Sequence, residues 1–539
     1  MSHKPIWSMT AVGLTVAVLG FVGCEAKRAQ EREPGAVVQP VLAEAEPPKQ
    51  VAPDPKKTTS AKPPYPDDPI AKWPDPTVLI VLSGELEGYL EPCGCTDGQM
   101  GGLARRLDLI EKLSARKAPI ALVDLGTLVK DPAAARGGLK QSLARFDTAL
   151  KSLALMRYSA IGLSAEDLKL GVGEVIGHFT NLNETPTKIV SCNVSVKDQT
   201  GDDAPIQPSV RLRIGQVRIG VTSVLDPAEL KPLADASDWL DAKPFKESLA
   251  ETLADLETDT DVQILLVPGK PQWAKTLARA NPGFDIVLGT SVYADPDAEP
   301  ETINDGGTLL IRTGKRGKYV GVVGLFEDSD QKFRYMRIAL NKKYKFAEPV
   351  RQLIEDYRSQ MREIGFVEDF PKIARAEGAP GATFVGADTC KNCHPNTHAR
   401  WAQTKHAAAF EALKNDKVRK NLEFDADCVS CHTTGFEYIS GWRSETITPA
   451  LKGNQCENCH GPASRHVEAP DNVELRKYLS KPVENPDQTR FCLRCHDEDN
   501  SPHFDFNKYY GQIVHKKMDT YEDPKVHRGI KPAAGGGGL

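Results

Sequence analysis

Histidine is nearly missing from the first two thirds of this 539-residue chain. Residues 76–345 hold one, His178, and apart from His3 all the others lie from His394 onward. A hydrolytic centre of two metal ions needs several convergent imidazole and carboxylate ligands, so the front segment lacks the material for one. A lone histidine in "EVIGHFT" reads as a helix or loop residue. Methionine is equally scarce at the other end, where Met518 is the sole thioether beyond Met361. There is no excess of basic charge. The formal net charge is −5 with both signs interspersed, which excludes the footprint of a nucleic-acid-binding protein. The glycines at 98–102 are not followed by the Gly-Lys-Ser/Thr ending of a phosphate-binding loop, so nucleotide binding there is not expected.

The chain is too long for one core, and composition divides it. The run "AVGLTVAVLGFVG" has thirteen residues, short of the about 20 that cross a bilayer. Preceded by Lys4 and closed by Gly23-Cys24, it resembles the lipobox of a bacterial lipoprotein. The resemblance implies a signal peptide over 1–24, acylation of Cys24, and anchorage to a membrane without spanning it. Glu25 follows where many inner-membrane lipoproteins carry aspartate, which favours the outer membrane of a bacterial envelope. An ordinary cleaved signal or an uncleaved anchor is the plainer alternative. Residues 25–75 are rich in proline, alanine and charge and read as a disordered tether.

From 76 to 345 the pattern is α/β. "TVLIVL", "PIALVDL", "TKIVSCNV", "VQILLV" and "FDIVLG" are short apolar runs suited to buried strands. Amphipathic windows at 103–113 and 244–256 separate them, with Pro244 suited to a first helical turn. "SVRLRIGQVRIGVTSV" reads as a hairpin turning at Gly215-Gln216. This alternation predicts a largely central sheet covered by helices. A helix at 348–365 lies in a linker, 346–375. The regular pattern then fades into a 376–525 region of loops and short helices, followed by a flexible tail, 526–539. Cys93, Cys95 and Cys192 are left over. One of the first two could pair with Cys192 in an oxidising compartment, or "PCGC" could be a tight turn with free thiols.

Four segments of the last third share one form: "CKNCH" (390–394), "CVSCH" (428–432), "CENCH" (456–460) and "CLRCH" (492–496). Zinc needs about four ligands, but nothing in zinc chemistry places histidine after every second cysteine. A redox dithiol would stand alone in a βαβ setting. C-x-x-C-H repeated four times is the attachment pattern of c-type haem. The thiols of Cys390 and Cys393, Cys428 and Cys431, Cys456 and Cys459, and Cys492 and Cys495 would each form thioethers to one porphyrin. The adjoining His394, His432, His460 and His496 would ligate iron on its proximal side. Four covalently bound haem c are expected. With methionine nearly absent, histidine is the default sixth ligand, and this lowers reduction potentials.

Two resemblances extend this reading. "CKNCHPNTHARWAQTKHAAAF", "CVSCHTTGF", "CENCHGPASRH" and "CLRCHDEDNSPHFDFNKYYGQIVHK" are similar, in order, to the tetrahaem cytochrome c-554 family over about 380–520. The resemblance implies distal ligands at His406, His466 and His515 and an open iron face at the "CVSCHTTGF" haem. His398, His503 and His527 would then be surface or supporting residues, unless one of them fills that site. Trp401, Phe436, Trp442 and Tyr509 would pack on macrocycle edges.

The front region, from "LSGELEGYLEPCGC" through "VDLGTL", "YSAIGLSAEDL", "SCNVS", "LLVPGK" and "IVLGTSV", resembles the 5′-nucleotidase type of calcineurin-like metallophosphoesterase. That implies a sandwich fold, but the metal ligands are gone. Glu85 and Glu87 stand for Asp and His, and Thr127 stands for Asp. Leu163-Ser164 replace Asn-His, while Pro268 and Thr290 fall at histidine positions. Asn193 alone matches. Glu85, Glu87 and Asp124 retain oxygens that could hold a hard ion weakly.

The expected fold is therefore an α/β sandwich followed by a mostly α, irregular multihaem domain. The expected function is electron relay between redox partners from a lipid anchor on the periplasmic or outer face. The alternatives are reduction of a small nitrogen species such as nitric oxide at a five-coordinate haem, and a phosphoesterase with a cytochrome appendage.

Overall fold

The computed structural model describes residues 68–92, 99–182, 184–327, 331–374, 378–479, 490–497, 500–501, 503–515 and 518–519. Cys24, Cys93, Cys95, His527 and the segments 1–24 and 526–539 lie outside them.

The front region contains two sheets rather than one central sheet. The first has seven strands, in the order Phe333–Ala339, Tyr319–Leu325, Val78–Ser83, Ile120–Asp124, Ala160–Gly162, Lys188–Val190 and Ile206–Gln207. Val78–Ser83 runs parallel to Ile120–Asp124 and antiparallel to Tyr319–Leu325. The second has six, in the order Glu301–Ile303, Thr308–Ile311, Ile286–Gly289, Val262–Val267, Val217–Ser223 and Ser209–Ile214. Inner faces of both sheets meet in one apolar cluster that includes Ile80, Val123, Val190, Val221, Ile264 and Leu288. A short run buried on both faces does not say which sheet it joins, so sequence alone merges the two layers. The hairpin at Gly215 is present, with φ of 63° at the glycine.

Helices cover both outer faces. Phe245–Glu257 and Pro271–Ala280 pack on the second sheet around Leu249, Ala274, Leu277 and Phe284. Leu103–Ser114, Gly138–Leu155 and Glu348–Glu363 lie on the first. The first of these helices starts at Gly102, where φ is 97° and a Cβ would meet Pro92 Cδ at 2.8 Å. Residues 68–75, which composition assigns to the tether, are packed instead. Ile70 is fully buried, Asp68 pairs with Arg116, and Trp73 sits edge-on to Phe326. Two apolar anchors in a proline-rich stretch are enough to dock it.

The cluster outside the first sheet does not stop at the sandwich. It continues through Tyr357, Met361 and Phe366 into Phe410, Val429, Phe436 and Trp442 of the cysteine-rich region. That region consists of short helices, among them Ala387–Lys391, Ala426–His432, Cys456–His460, Arg490–Leu493 and Phe506–Ile513. Among the described residues, no helix is long and apolar enough to cross a membrane.

Candidate haem-binding site

Each C-x-x-C-H motif sits on one helical turn. The His394 and His496 amides both donate to the carbonyl four residues back, that of Cys390 and Cys492, at 2.8 Å. Cys428–His432 and Cys456–His460 are helical throughout. On a helix, positions i, i+3 and i+4 share a face, so the two thiols and the imidazole converge on the same side. This is the donor set a c-type haem requires.

The motifs approach one another in pairs. The Cys390 and Cys456 thiols are close enough to influence each other electrostatically, and so are those of Cys431 and Cys495. A small cavity of about 60 Å³ adjoins Cys459 and Cys495 and is lined also by Arg136, Phe436, Tyr438 and Asn458.

The histidines separate into facing pairs. His406 and His496 have ring centroids 6.0 Å apart, and so do His460 and His515. Metal–imidazole bonds are about 2 Å, so two rings on opposite faces of one ion have centroids about 6 Å apart. Both pairs therefore fit the requirement of a bis-histidine iron. Their outer nitrogens are tied down: His496 Nδ1 to Ser501 Oγ at 3.0 Å and His515 Nδ1 to the Ile513 carbonyl at 2.9 Å. Such bonds fix the ring and leave Nε2 for a metal. His466 offers a buried Nδ1 without a hydrogen-bond partner and lies in the electrostatic neighbourhood of His394. The His432 ring is oriented by the Ala409 carbonyl, 2.5 Å from Nδ1, and among the described residues no second imidazole stacks against it. His398 Nε2 is buried and lacks a hydrogen bond, with an Asp388 carboxylate oxygen 3.6 Å away, and His503 is exposed. Phe436 and Trp442 are buried, Trp401 is half-buried, and Tyr509 reaches solvent.

In the sandwich, the positions read as replaced metal ligands engage protein groups instead. Asp124 accepts from the Ser83 hydroxyl at 2.6 Å and pairs with Arg106 at 3.1 Å, and both charged side chains are 1% exposed. Glu85 accepts from the Ser291 amide and hydroxyl at 2.9 and 2.6 Å. Thr127 donates to Ser164. Asn193 brackets Leu225 through both its amide atoms, a structural part rather than a ligand's. His178 pairs with Asp147 at 3.1 Å beside Phe146. Cys192 is a buried thiol. Among the described residues, no three metal-ligating side chains converge.

Burial lifts the Glu85 pKa to about 8, against the opposing bonds from Ser291. A native carboxyl raised in this way holds a proton that the unfolded chain releases. Its stability contribution is present below the unfolded value and is lost as pH rises toward 8. Glu85→Gln should flatten that decline. Urea unfolding of wild type is expected to weaken by a few kcal/mol, in order of magnitude, between about pH 5 and 8. The variant should lose much less, and equal losses in the two proteins would exclude Glu85 as the source.

A family model described as cytochrome c554 and c-prime matches residues 389–461. Cytochrome c-554 of Nitrosomonas europaea is 31% identical over 139 residues, covering 22% of this chain and 59% of that protein. The C-terminal region is thus similar to cytochrome c-554 over these residues. The match, together with the four C-x-x-C-H turns, supports covalently bound haem c. The sandwich is similar in fold to 5′-nucleotidase structures. The sulfate thiohydrolase SoxB of Thermus thermophilus is 15% identical, with TM-score 0.45, over 54% of this chain and 62% of that one. A 5′-nucleotidase precursor, also from Thermus thermophilus, is 16% identical, with TM-score 0.43, over 66% of this chain and 74% of that one. The chain thus spans about three fifths of the length of the cytochrome and of SoxB.

The sandwich grips the cysteine-rich region through polar groups that sequence reasoning missed. Asp425 caps the helix Ala426–His432 by accepting from the Asp427 amide. Arg145, from Gly138–Leu155, reaches both Asp425 oxygens at 2.8 and 2.9 Å and also contacts Asp427. Gln141 donates to Asp425 at 2.6 Å and accepts from the Ala426 amide. Arg145 also donates to Tyr357 at 3.1 Å, and Arg358 pairs with Glu91. Burial would lift the Asp425 pKa, but Arg145 and Arg358 hold it below the ordinary carboxylate value. The helix that presents Cys428, Cys431 and His432 is therefore fixed from outside its own domain.

Proposed function

We propose that this chain is a lipid-anchored, extracytoplasmic tetrahaem cytochrome that relays electrons between protein redox partners, with Cys24 as the acylated residue in a bacterial envelope. The observation that supports it most is the set of four helical C-x-x-C-H turns with two imidazole pairs at bis-histidine spacing. In this reading His394, His432, His460 and His496 are proximal ligands. His496 shares its iron with His406, His460 with His515, and His394 with His466. Haem supplies a reversible one-electron couple. The protein supplies ligands, spacing and a fixed dielectric. The test is the pyridine haemochrome stoichiometry of protein purified from a cell competent in cytochrome maturation. Four haems per chain are expected. A colourless product with free thiols or bound zinc would refute the proposal.

A second reading rests on His432, whose ring is anchored at one nitrogen and stacks against no other described imidazole, with His406 in its electrostatic neighbourhood. An open iron there could bind and reduce a small nitrogen species such as nitric oxide. Carbon monoxide added to the reduced protein should then perturb one haem in four, matched by a high-spin ferric fraction of the same size. A wholly low-spin protein that ignores carbon monoxide would leave electron relay alone.

A further inference from the structure

One guanidinium of the sandwich touches two haem motifs at once. Arg136 Nη1 lies 2.9 Å from Cys431 Sγ and 3.4 Å from Ser430 Oγ. Its Nη2 donates to the Arg494 carbonyl and to Asp497 Oδ2, each at 2.8 Å. The Cys431 and Cys495 thiols adjoin each other at the same point. In the loaded protein these sulfurs are thioethers bonded to the porphyrin periphery, so a cation against them is a cation at the edge of a macrocycle. The Arg136 side chain is 24% exposed and Asp497's is 31%, so solvent screens the pair only in part. Arginine stays charged at every accessible pH.

We propose that Arg136 is the positioning charge through which the sandwich sets the midpoint potentials of the two haems held by Cys428–His432 and Cys492–His496. This inference rests on the tetrahaem reading. Ferric haem carries one more positive charge than ferrous haem. A neighbouring cation therefore favours uptake of an electron at iron and raises the potential, and the Asp497 carboxylate opposes it.

Spectroelectrochemical titration of the full-length holoprotein tests this, with haemochrome stoichiometry measured first. A count below four would sink the tetrahaem reading, whereas this proposal fails only on the potentials. Arg136→Gln should lower two of the four potentials, by on the order of tenfold in oxidised-to-reduced ratio, or about 59 mV for one electron. Arg136→Lys should keep them near wild type. Asp497→Asn should move the same two upward, and this opposite sign holds the test open should Arg136→Gln fold poorly. The ferric spectrum of each variant should be unchanged. The proposal is overturned if Gln and Lys act alike, if all four haems move together, or if none moves.

Discussion

Replacing Cys428 and Cys431 with alanine is expected, on the tetrahaem reading with an open iron at His432, to lower the haemochrome count from four to three and to abolish the carbon-monoxide-reactive fraction. Replacing Cys492 and Cys495 also removes one haem but leaves that fraction intact. The contrast follows from the histidine geometry. Loss of the second motif would remove the haem of His432, whose ring stacks against no other described imidazole. Loss of the fourth would remove the haem for which His496 and His406 are the proposed ligand pair. Each double variant deletes both thioether bonds, and a ligating histidine alone holds a c-type porphyrin poorly. Haemochrome assay and carbon monoxide difference spectra of the same samples settle both points. An unchanged count would mean that the thiols do not carry haem. A carbon monoxide signal that survives loss of Cys428 and Cys431 would place the open iron elsewhere.

Arg145→Ala destabilises the protein by about 3–5 kcal/mol, because it leaves a buried carboxylate without its main partner. Asp425 has a side chain only 3% exposed, and Arg145 supplies contacts to both of its oxygens. A domain is stable by about 5–15 kcal/mol, so this loss is a large share of the total. Asp425→Asn in the Arg145→Ala background should recover part of it, since the uncompensated charge is gone. Denaturant unfolding followed by far-ultraviolet circular dichroism and by haem absorbance should show both transitions moving together. A shift in the haem signal alone would mean that the network serves only the cytochrome domain. No shift in either would show that the pair contributes nothing net.

What could be read from sequence was whatever chemistry forces into a short window. Two thioethers and a proximal ligand must come from five consecutive residues, so Cys456–His460 and its three counterparts announce themselves. Pairing across the fold was not readable. His406 follows the first motif by twelve positions yet faces His496 of the fourth, a result of tertiary folding that spacing cannot encode. Arg136, in the turn before Gly138–Leu155, and Arg145, within that helix, carry no motif that marks them. The acid pair Asp425 and Asp427, placed just ahead of "CVSCH", hinted at a cationic partner without naming it. The two-layer sandwich followed from the 5′-nucleotidase resemblance and not from the strand pattern alone, because strands buried on both faces look alike whichever sheet they join.

The crossed thiol contacts carry a consequence for biogenesis. Cys390 adjoins Cys456, and Cys431 adjoins Cys495, so in each case the neighbour belongs to a different motif. If this region collapsed to its final shape before porphyrin arrived, an oxidising compartment would join those neighbours as disulfides and close two attachment points at once. On the tetrahaem reading, haem attachment is therefore expected to precede the meeting of the paired motifs, on an open polypeptide kept reduced.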